Sequence, residues 1–176
     1  QIDGWTTLIA ADANLPAAQE VSGTSVTASN VITELRKITT ALPAALFGRD
    51  DLRIYVSQNI ALSYIQALGG FGSSGLGSNG VDAQGTMWYS NVKDLSFDGV
   101  KIFVANGMPS NTAMATTIDN MYFGCGLMND TNEVRLLDMA NLDGSDNVRF
   151  VLHAGMAVNY HSASDIVTYG ITNSAN

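Results

Sequence analysis

Three side chains towards the C-terminal end are of the types that serve hydrolysis or metal binding: His153, His161 and Asp165. Zinc normally takes several ligands in a compact spacing, and the single cysteine, Cys125, lies far from both histidines in the sequence. A catalytic triad can draw its members from anywhere in a chain, but no G-x-S-x-G elbow marks a nucleophilic serine. We therefore predict no catalytic or metal site, a partly buried structural role for His153, and a turn after a strand at residues 161–165.

A glycine-rich run, GGFGSSGLGSNG at residues 69–80, contains the G-x-G-x-x-G pattern twice. Such glycines bind a dinucleotide when they follow a strand and open a helix, whose N-terminus then faces the pyrophosphate. Here a predicted helix precedes the run and strand-like sequence follows it. Ordering so much glycine costs backbone entropy, so the run is predicted to be a mobile loop that binds no cofactor. Its glycines are Gly69, Gly70, Gly72, Gly75, Gly77 and Gly80.

Two smaller features are also better explained without chemistry. Residues 143–147, DGSDN, have the composition of a calcium loop but neither its spacing nor its closing glutamate, so we predict a turn. Cys125 lies between two glycines after an apolar strand, and no cationic residue is near it in the sequence. We expect a buried, unreactive thiol. A single cysteine forms no internal disulfide, which suits a reducing cytoplasm.

The charge balance argues against several classes of partner. The chain has 176 residues with 8 basic and 16 acidic side chains, a net charge of −8, and Arg36-Lys37 is the one adjacent basic pair. Neither a sequence-specific grip on nucleic acid nor binding to an anionic membrane is expected, and no run is long enough to span a membrane. Charged residues make up only 14% of the chain, which is typical of a surface that neighbours cover. The chain opens at Gln1 without an initiator methionine, so we expect a processed or truncated product.

Apolar spacing predicts two helices with a strand between them. Residues 31–46 have helical periodicity, with Ser29 or Asn30 as the N-cap and a break near Leu42 because Pro43 follows. Alternation predicts a strand over 52–56. Ser57 is expected to cap a second helix over 58–68.

Strands dominate the remainder. Residues 15–27 are predicted to be irregular, and strands are expected at Thr86–Tyr89, Val100–Val104, Met121–Gly124, Glu133–Met139 and Val148–Tyr160. The order is helix, strand, helix, then mostly strands, which is typical of an α+β fold rather than of alternating βα units. No linker divides the chain, so it is expected to be one domain or a lobe of one.

Residues 97–126 carry a resemblance to a known family. A strand enters through Asp98-Gly99 and is stopped by Gly107-Met108-Pro109; a polar stretch follows, then a second strand with Tyr122-Phe123-Gly124. This order resembles the axial-domain core of the tailed-phage major capsid proteins, the fold named after phage HK97.

Other segments extend the resemblance over most of the chain, in the family's order. Residues 2–5, IDGW, resemble the "DGL"-type strand after the family's spine helix, and residues 31–68 resemble its helix, strand and short helix. Residues 148–160 resemble the long strand that re-enters the peripheral domain. The sequence departs from the family at Gly99-Val100-Lys101-Ile102, which lacks the proline of "G-x-P-V", and in lacking the N-terminal arm, extended loop and spine helix.

The resemblance implies an α+β, HK97-like capsid fold in which a central mixed or antiparallel sheet is flanked by helices. Residues 1–29 would belong to the peripheral domain, 30–145 would form the axial domain, and 146–176 would return to the peripheral domain and end in a tail. The chain would be a C-terminal fragment of a major capsid protein. The glycine loop 69–80 would lie near the capsomer axis.

The implied function is structural and not enzymatic. Copies would assemble as pentamers and hexamers into an icosahedral shell around double-stranded DNA, within the bacterial host cytoplasm, with scaffold, portal or decoration proteins as further partners. Three alternatives remain open: an encapsulin-like nanocompartment shell, an extracellular β-rich binding or adhesin module, and a hydrolase that uses His161. The predicted helices 31–46 and 58–68 count against a pure β-sandwich adhesin.

Overall fold

The computed structural model describes residues 3–68, 95–125, 133–139, 144, 146–153 and 155–171. Its helices and strands form a mixed central sheet with helices packed on it and two further two-stranded sheets. The α+β prediction is therefore confirmed. The helices are α1 Trp5–Ala10, α2 Val31–Ala41 and α3 Gln58–Leu68; the strands are β1 Glu20–Val21, β2 Leu52–Val56, β3 Ser96–Phe97, β4 Val100–Val104, β5 Ala113–Thr117, β6 Met121–Cys125, β7 Glu133–Asp138, β8 Val148–His153, β9 Met156–Tyr160 and β10 Val167–Tyr169.

The central sheet has six strands in the order β1-β10-β5-β2-β4-β3. Two neighbouring pairs are parallel, β1 with β10 and β2 with β4, and the other three pairs are antiparallel. Strand β1 lies in residues 1–29 and β10 lies in residues 146–176, both predicted to be peripheral, yet both strands belong to the central sheet. The division into axial and peripheral domains stays a prediction.

Helices α2 and α3 pack on one face of this sheet. Helix α2 is amphipathic, and Val31, Leu35 and Ile38 on its inner side are at most 1% exposed. It ends at Ala41 because Leu42 precedes a proline and adopts an extended conformation, so the predicted break is confirmed. The larger hydrophobic core lies between these helices and the sheet.

Both helix starts lack the side-chain caps expected from the sequence. Asn30 is the N-cap residue of α2, but its Oδ1 accepts from the Thr27 backbone N–H and makes no bond to the helix. The Ser57 hydroxyl donates to Asn59 Oδ1, while its carbonyl accepts from the Ala61 N–H. Asn30 therefore stabilises the turn before α2, whereas Ser57 bonds to the Asn59 side chain in the first turn of α3.

The turn at Asp98-Gly99 forms as predicted. Both residues have positive φ, 48° for Asp98 and 79° for Gly99, which is the two-residue hairpin geometry that Asp-Gly favours. It joins β3 to β4 with Phe97 opposite Val100.

The longest of the strands missed in the sequence, β5, is buried along its whole length. All five side chains of β5 are buried, although Ala-Met-Ala-Thr-Thr was expected to be part of a polar stretch. Its small residues fit because β5 lies between β10 and β2, with Ala113 and Ala115 in the larger core. Strands β1 and β10 were also missed.

Two other expectations were wrong. The segment 2–5 was implied by the resemblance to be a strand, but Asp3 and Gly4 belong to no strand and Trp5 begins helix α1. Residues 148–160 form two strands, β8 and β9, that belong to different sheets rather than one long strand. The predicted strand Thr86–Tyr89 and the glycine loop 69–80 lie outside the described residues.

A buried carboxylate joins α2 to the C-terminal strand. Glu34 is 7% exposed, and its Oε2 accepts from the Tyr169 hydroxyl at 2.8 Å. Lys37 Nζ donates to both carboxylate oxygens at 2.9 and 2.8 Å. Burial alone raises the pKa of Glu34, but the hydrogen bonds from Lys37 and Tyr169 outweigh it and hold the pKa below its ordinary value. The Tyr169 hydroxyl also accepts from the Thr24 N–H.

Next to this network the backbone is packed too closely for side chains. Gly170 has φ +67°, and a Cβ built on it would lie 2.5 Å from the carbonyl oxygen of Asn111. A Cβ on Gly23 would lie 2.4 Å from the Gly170 Cα. Asn111 itself has φ 62° and accepts on Oδ1 from the Val26 N–H. Glycine is therefore required at positions 23 and 170, where the backbone after β1 passes close to the backbone after β10.

Candidate assembly surfaces

The residues predicted to carry no chemistry lie apart from one another. His153 lies in β8, opposite Glu133, whereas His161 follows β9 and is exposed beside the ring of Tyr122, with centroids 6.5 Å apart. Residues 163–165 form a short 3-10 turn, as expected for the segment that begins at His161. The side chain of His153 lies outside what the structure describes. In the described ranges, no three His, Cys, Asp or Glu side chains come together as metal ligands.

The expectation of a buried cysteine was wrong. Cys125 ends β6 opposite Met156 and is exposed. The sequence pattern identifies an apolar strand, but this strand pairs only with β9, in a two-stranded sheet outside the central one. Burying Cys125 would require another layer packed on this two-stranded sheet, and no described residue supplies one.

The segment from 121 to 160, here called the ribbon, is the most unusual surface of the molecule. Strand β6 leaves the central sheet, β7 and β8 form an antiparallel hairpin, and β9 returns antiparallel to β6. The Met139 N–H donates to the Asn147 carbonyl where the hairpin closes, and Gly144 in the predicted turn has φ 73°. None of the described side chains of the ribbon is buried.

The ribbon is nevertheless rich in large apolar side chains. It holds seven of the eleven large hydrophobic residues that are exposed in the described part of the chain: Tyr122, Phe123, Leu136, Leu137, Val148, Phe150 and Met156. A two-stranded hairpin without a covering layer is marginally stable in water, and unprotected strand edges favour pairing with another chain. So much exposed apolar surface in one segment marks an interaction site.

One face of the β7–β8 hairpin is more apolar than the other. Leu136 and Phe150 are direct cross-strand partners with 69% and 63% of their surface exposed, and Val148 lies on the same face. The opposite face carries Leu137 paired with Arg149. The hairpin therefore has one face rich in apolar residues, with Asp138 at its end, and one face that carries Arg135, Arg149 and Glu133.

The base of the ribbon is held by Asn120, which is 4% exposed. Its Nδ2 donates to Thr116 Oγ1 at 3.0 Å and to the Ser162 carbonyl at 2.9 Å. Its Oδ1 accepts from the N–H groups of His161 at 3.1 Å and Ser162 at 2.8 Å. Three of these four hydrogen bonds tie the point where β6 begins to the residues that follow β9, and the fourth holds the amide to β5.

Helix α1 provides a second anchor for the returning strand. Trp5 Nε1 donates to the Asn159 carbonyl at 3.0 Å, and the Tyr160 hydroxyl donates to the Asp12 carboxylate. Burial, together with the Asp12 carboxylate, raises the pKa of Tyr160 to about 12, and the Tyr160 hydrogen bond lowers the pKa of Asp12. Both pKa directions favour a neutral tyrosine donating to an ionised carboxylate. The ribbon has no buried side chain among its described residues, yet its base is held by hydrogen bonds to Asn120 and to α1.

Within the described residues, no helix is long and apolar enough to cross a membrane. The polar groups described at the ribbon base, Asn120, Trp5 and Tyr160, take part in hydrogen bonds that hold the chain.

No protein-family model and no curated protein matches the sequence. Solved structures do match the fold. A chain of the satellite phage P4 procapsid including size determination (Sid) protein aligns with a TM-score of 0.57 and 11% identity over 97% of this chain and 53% of that chain. A chain from Mycobacterium phage Che8 aligns with a TM-score of 0.55 and 12% identity over 92% of this chain and 57% of that chain.

At that identity the likeness is one of fold, and this chain spans about half the length of either neighbour. The resemblance to phage capsid proteins drawn from the order of the motifs is confirmed at the level of a phage capsid-type fold.

Proposed function

We propose that this chain is the shell-forming region of a phage major capsid protein with the HK97 fold. Copies associate into pentamers and hexamers and build an icosahedral shell around a double-stranded DNA genome. The shell is assembled in the bacterial host and ends in the virion. The role is structural and requires no catalytic group or cofactor.

The observation that carries the proposal is the ribbon, an apolar segment without a buried side chain among its described residues, attached to a capsid-type fold. A subunit that works alone has no use for such a surface, whereas a shell subunit buries it against its neighbours. Contacts of a head-to-tail kind close into rings when the rotation between copies allows it. Scaffold, portal or decoration proteins are further proposed partners. The glycine loop 69–80 is proposed to lie near the capsomer axis.

The test is assembly of the purified chain, followed by sedimentation velocity and negative-stain electron microscopy. We expect rings or shells from the wild type, and loss of both when Leu136 and Phe150 are together replaced by serine. Leu62→Ser is the matched control, because Leu62 is 50% exposed on α3 and lies outside the ribbon. A wild type that never forms rings or shells would contradict the proposal.

Cys125 supplies an independent readout without any substitution. Its thiol is exposed in the single chain, so it should react readily with a thiol reagent in the dissociated protein. If neighbours cover the ribbon, the reaction slows on assembly. Equal reactivity in both states would mean that the ribbon stays uncovered around Cys125.

A DNA-filled shell and an encapsulin-like compartment differ in what they enclose. Particles isolated from the native host should contain nuclease-protected double-stranded DNA if the phage proposal is right. Particles that instead enclose a specific protein would favour the compartment.

A further inference from the structure

The central sheet has one half-face that the described residues cover only in part. Helices α2 and α3 cover the opposite face, and the cluster of Ile9, Leu15, Met114 and Ile166 covers this face at β5, near β10 and at Tyr55 of β2. The side chains of β4 on this side, Lys101 and Phe103, lie beyond that cluster and are exposed. This exposed part of the sheet leaves room for a partner.

The side chains of this half-face, here called the β2–β4 face, are Arg53 and Tyr55 of β2 with Lys101 and Phe103 of β4. Phe103 is 58% exposed, whereas its register partner Tyr55 is partly buried against the second cluster. Their rings meet edge to face with centroids 5.9 Å apart. The described residues therefore bury part of Tyr55 and leave the ring of Phe103 exposed to solvent.

The other two residues of the face are like charges side by side. Arg53 and Lys101 are direct register partners, an arrangement that is unfavourable in a lone sheet. Arg53 Nη1 is held by the carbonyls of Asp50 at 2.7 Å and Leu52 at 2.8 Å. In the described ranges, neither cation forms an ion pair with a carboxylate. An acidic partner would relieve this repulsion.

A cleft of about 300 Å³ adjoins the two cations. Phe47 lines it with 60% of its surface exposed, together with three basic side chains, Arg49, Arg53 and Lys101, and two acidic ones, Asp50 and Asp98. The surface therefore combines exposed aromatic rings and arginine, residue types that are enriched in protein interfaces, with charges of both signs, of which Arg53 and Lys101 form no ion pair in the described ranges.

We propose that the β2–β4 face docks an acidic surface of a second copy of this chain. The occupant follows from charge, because the chain carries 16 acidic against 8 basic side chains and two of the basic ones lie here. The inference rests on the proposed function and adds to it: head-to-tail association needs two different surfaces on each copy, and the ribbon is only one.

The test compares two substitutions on the face with two matched controls. Phe103→Ser removes the exposed ring, and Leu62→Ser is its control on the helix-covered side. Lys101→Glu reverses a charge, and Arg36→Glu reverses an exposed one on α2. Lys101→Glu also places a carboxylate beside Arg53, so the folded single chain should not be weakened. Association is followed by sedimentation velocity over a concentration series, at low and at high salt.

We expect both face variants to weaken association about tenfold or more and both controls to leave it unchanged. The wild-type affinity should fall with salt, and Lys101→Glu should lose much of that dependence. Thermal unfolding at concentrations where the chain is monomeric should give the same midpoint for Phe103→Ser and Leu62→Ser. A lower midpoint for Phe103→Ser with unchanged association would mean that the chain covers this face itself, and would overturn the proposal.

The remaining outcomes separate this inference from the proposed function. Rings or shells that form equally well from the face variants would overturn the docking site and leave the capsid role standing. A wild type that forms only a closed dimer, lost on Lys101→Glu, would support the docking site and contradict the shell. A wild type that stays monomeric at every concentration would overturn both.

Discussion

Replacing Asn120 with alanine would remove the hydrogen bonds that hold the base of the ribbon. The amide makes two donated and two accepted bonds, to Thr116, His161 and Ser162, in a site that is 4% exposed. Alanine leaves the Ser162 N–H and carbonyl without these partners. Because the site is buried, water replaces the lost bonds poorly.

The expected loss can be worked from these four bonds. The His161 N–H also donates to the backbone carbonyl of residue 120 at 2.9 Å, which alanine keeps, so three bonds are fully lost. Each typically contributes about 0.5–1.5 kcal/mol net, so together they are worth on the order of 3 kcal/mol of the free energy of unfolding. For a chain of this length the melting temperature should fall by roughly 10 °C. Urea unfolding and thermal unfolding, both followed by circular dichroism, measure these quantities.

Asn120→Asp provides a sharper version of the same experiment. The Thr116 hydroxyl already donates its one hydrogen to the Asp165 carbonyl at 3.0 Å, so it cannot donate to a carboxylate. In Asn120→Asp a carboxylate oxygen replaces the Nδ2 donor, and it lies next to the Thr116 hydroxyl oxygen and the Ser162 carbonyl oxygen. Repulsion between these oxygens raises the pKa of the new carboxyl. Its destabilisation should be largest near neutral pH and should shrink as the pH falls and the carboxyl protonates.

Asn147→Ala is the matched control, since Asn147 is an exposed amide at the hairpin end of the ribbon. It should change the free energy of unfolding by less than about 0.5 kcal/mol. The reasoning is refuted if Asn120→Ala is no more destabilising than Asn147→Ala, or if Asn120→Asp behaves like the wild type at neutral pH.

The remaining predictions concern the end of the central sheet. Gly170→Ala should lower the free energy of unfolding by about 2 kcal/mol or more, because φ is +67° and the new Cβ meets the Asn111 carbonyl; Gly107→Ala, with open space around it, should be nearly neutral in the same urea titration. Tyr169→Phe removes the hydroxyl that donates to Glu34, and should cost about 1–2 kcal/mol by thermal unfolding. The pKa of Glu34 is lowered on folding, so its ionised form stabilises the protein above the ordinary pKa of 4.5, and this stability is lost as the pH falls through the lower folded value. Glu34→Gln should therefore flatten that part of the curve of stability against pH. An unchanged curve would exclude Glu34 as the source of the pH dependence.

The exposed apolar side chains of the ribbon affect the stability of the single chain. A segment with exposed apolar side chains on a firmly held base is stable in water only at a cost, and that cost is removed when another surface covers it. The same reasoning applies to the exposed part of the central sheet. The base of the ribbon is held by hydrogen bonds from Asn120 and Trp5, and β2 and β4 are paired within the central sheet.

The elements that the sequence predicted well are those set by local patterns. The periodicity of α2, the alternation of β2 and the two positive-φ residues at Asp98-Gly99 each depend on a few consecutive residues. The break after Ala41 follows from the steric conflict of a proline with the residue before it. The order of the segments that resemble the family also indicated a phage capsid-type fold.

Only the tertiary structure decided which strands lie inside and which surfaces lie open. Strand β5 reads as polar, yet it is fully buried because two neighbouring strands and helices on one face surround it. Strand β6 reads as a core strand, yet Cys125 and Phe123 are exposed because it pairs outside the central sheet. Burial depends on partners from distant parts of the chain, and Asn120 is defined as an anchor only by groups 41 and 42 residues away. A local pattern records the propensity of a segment, whereas the layer that covers it is a property of the whole fold.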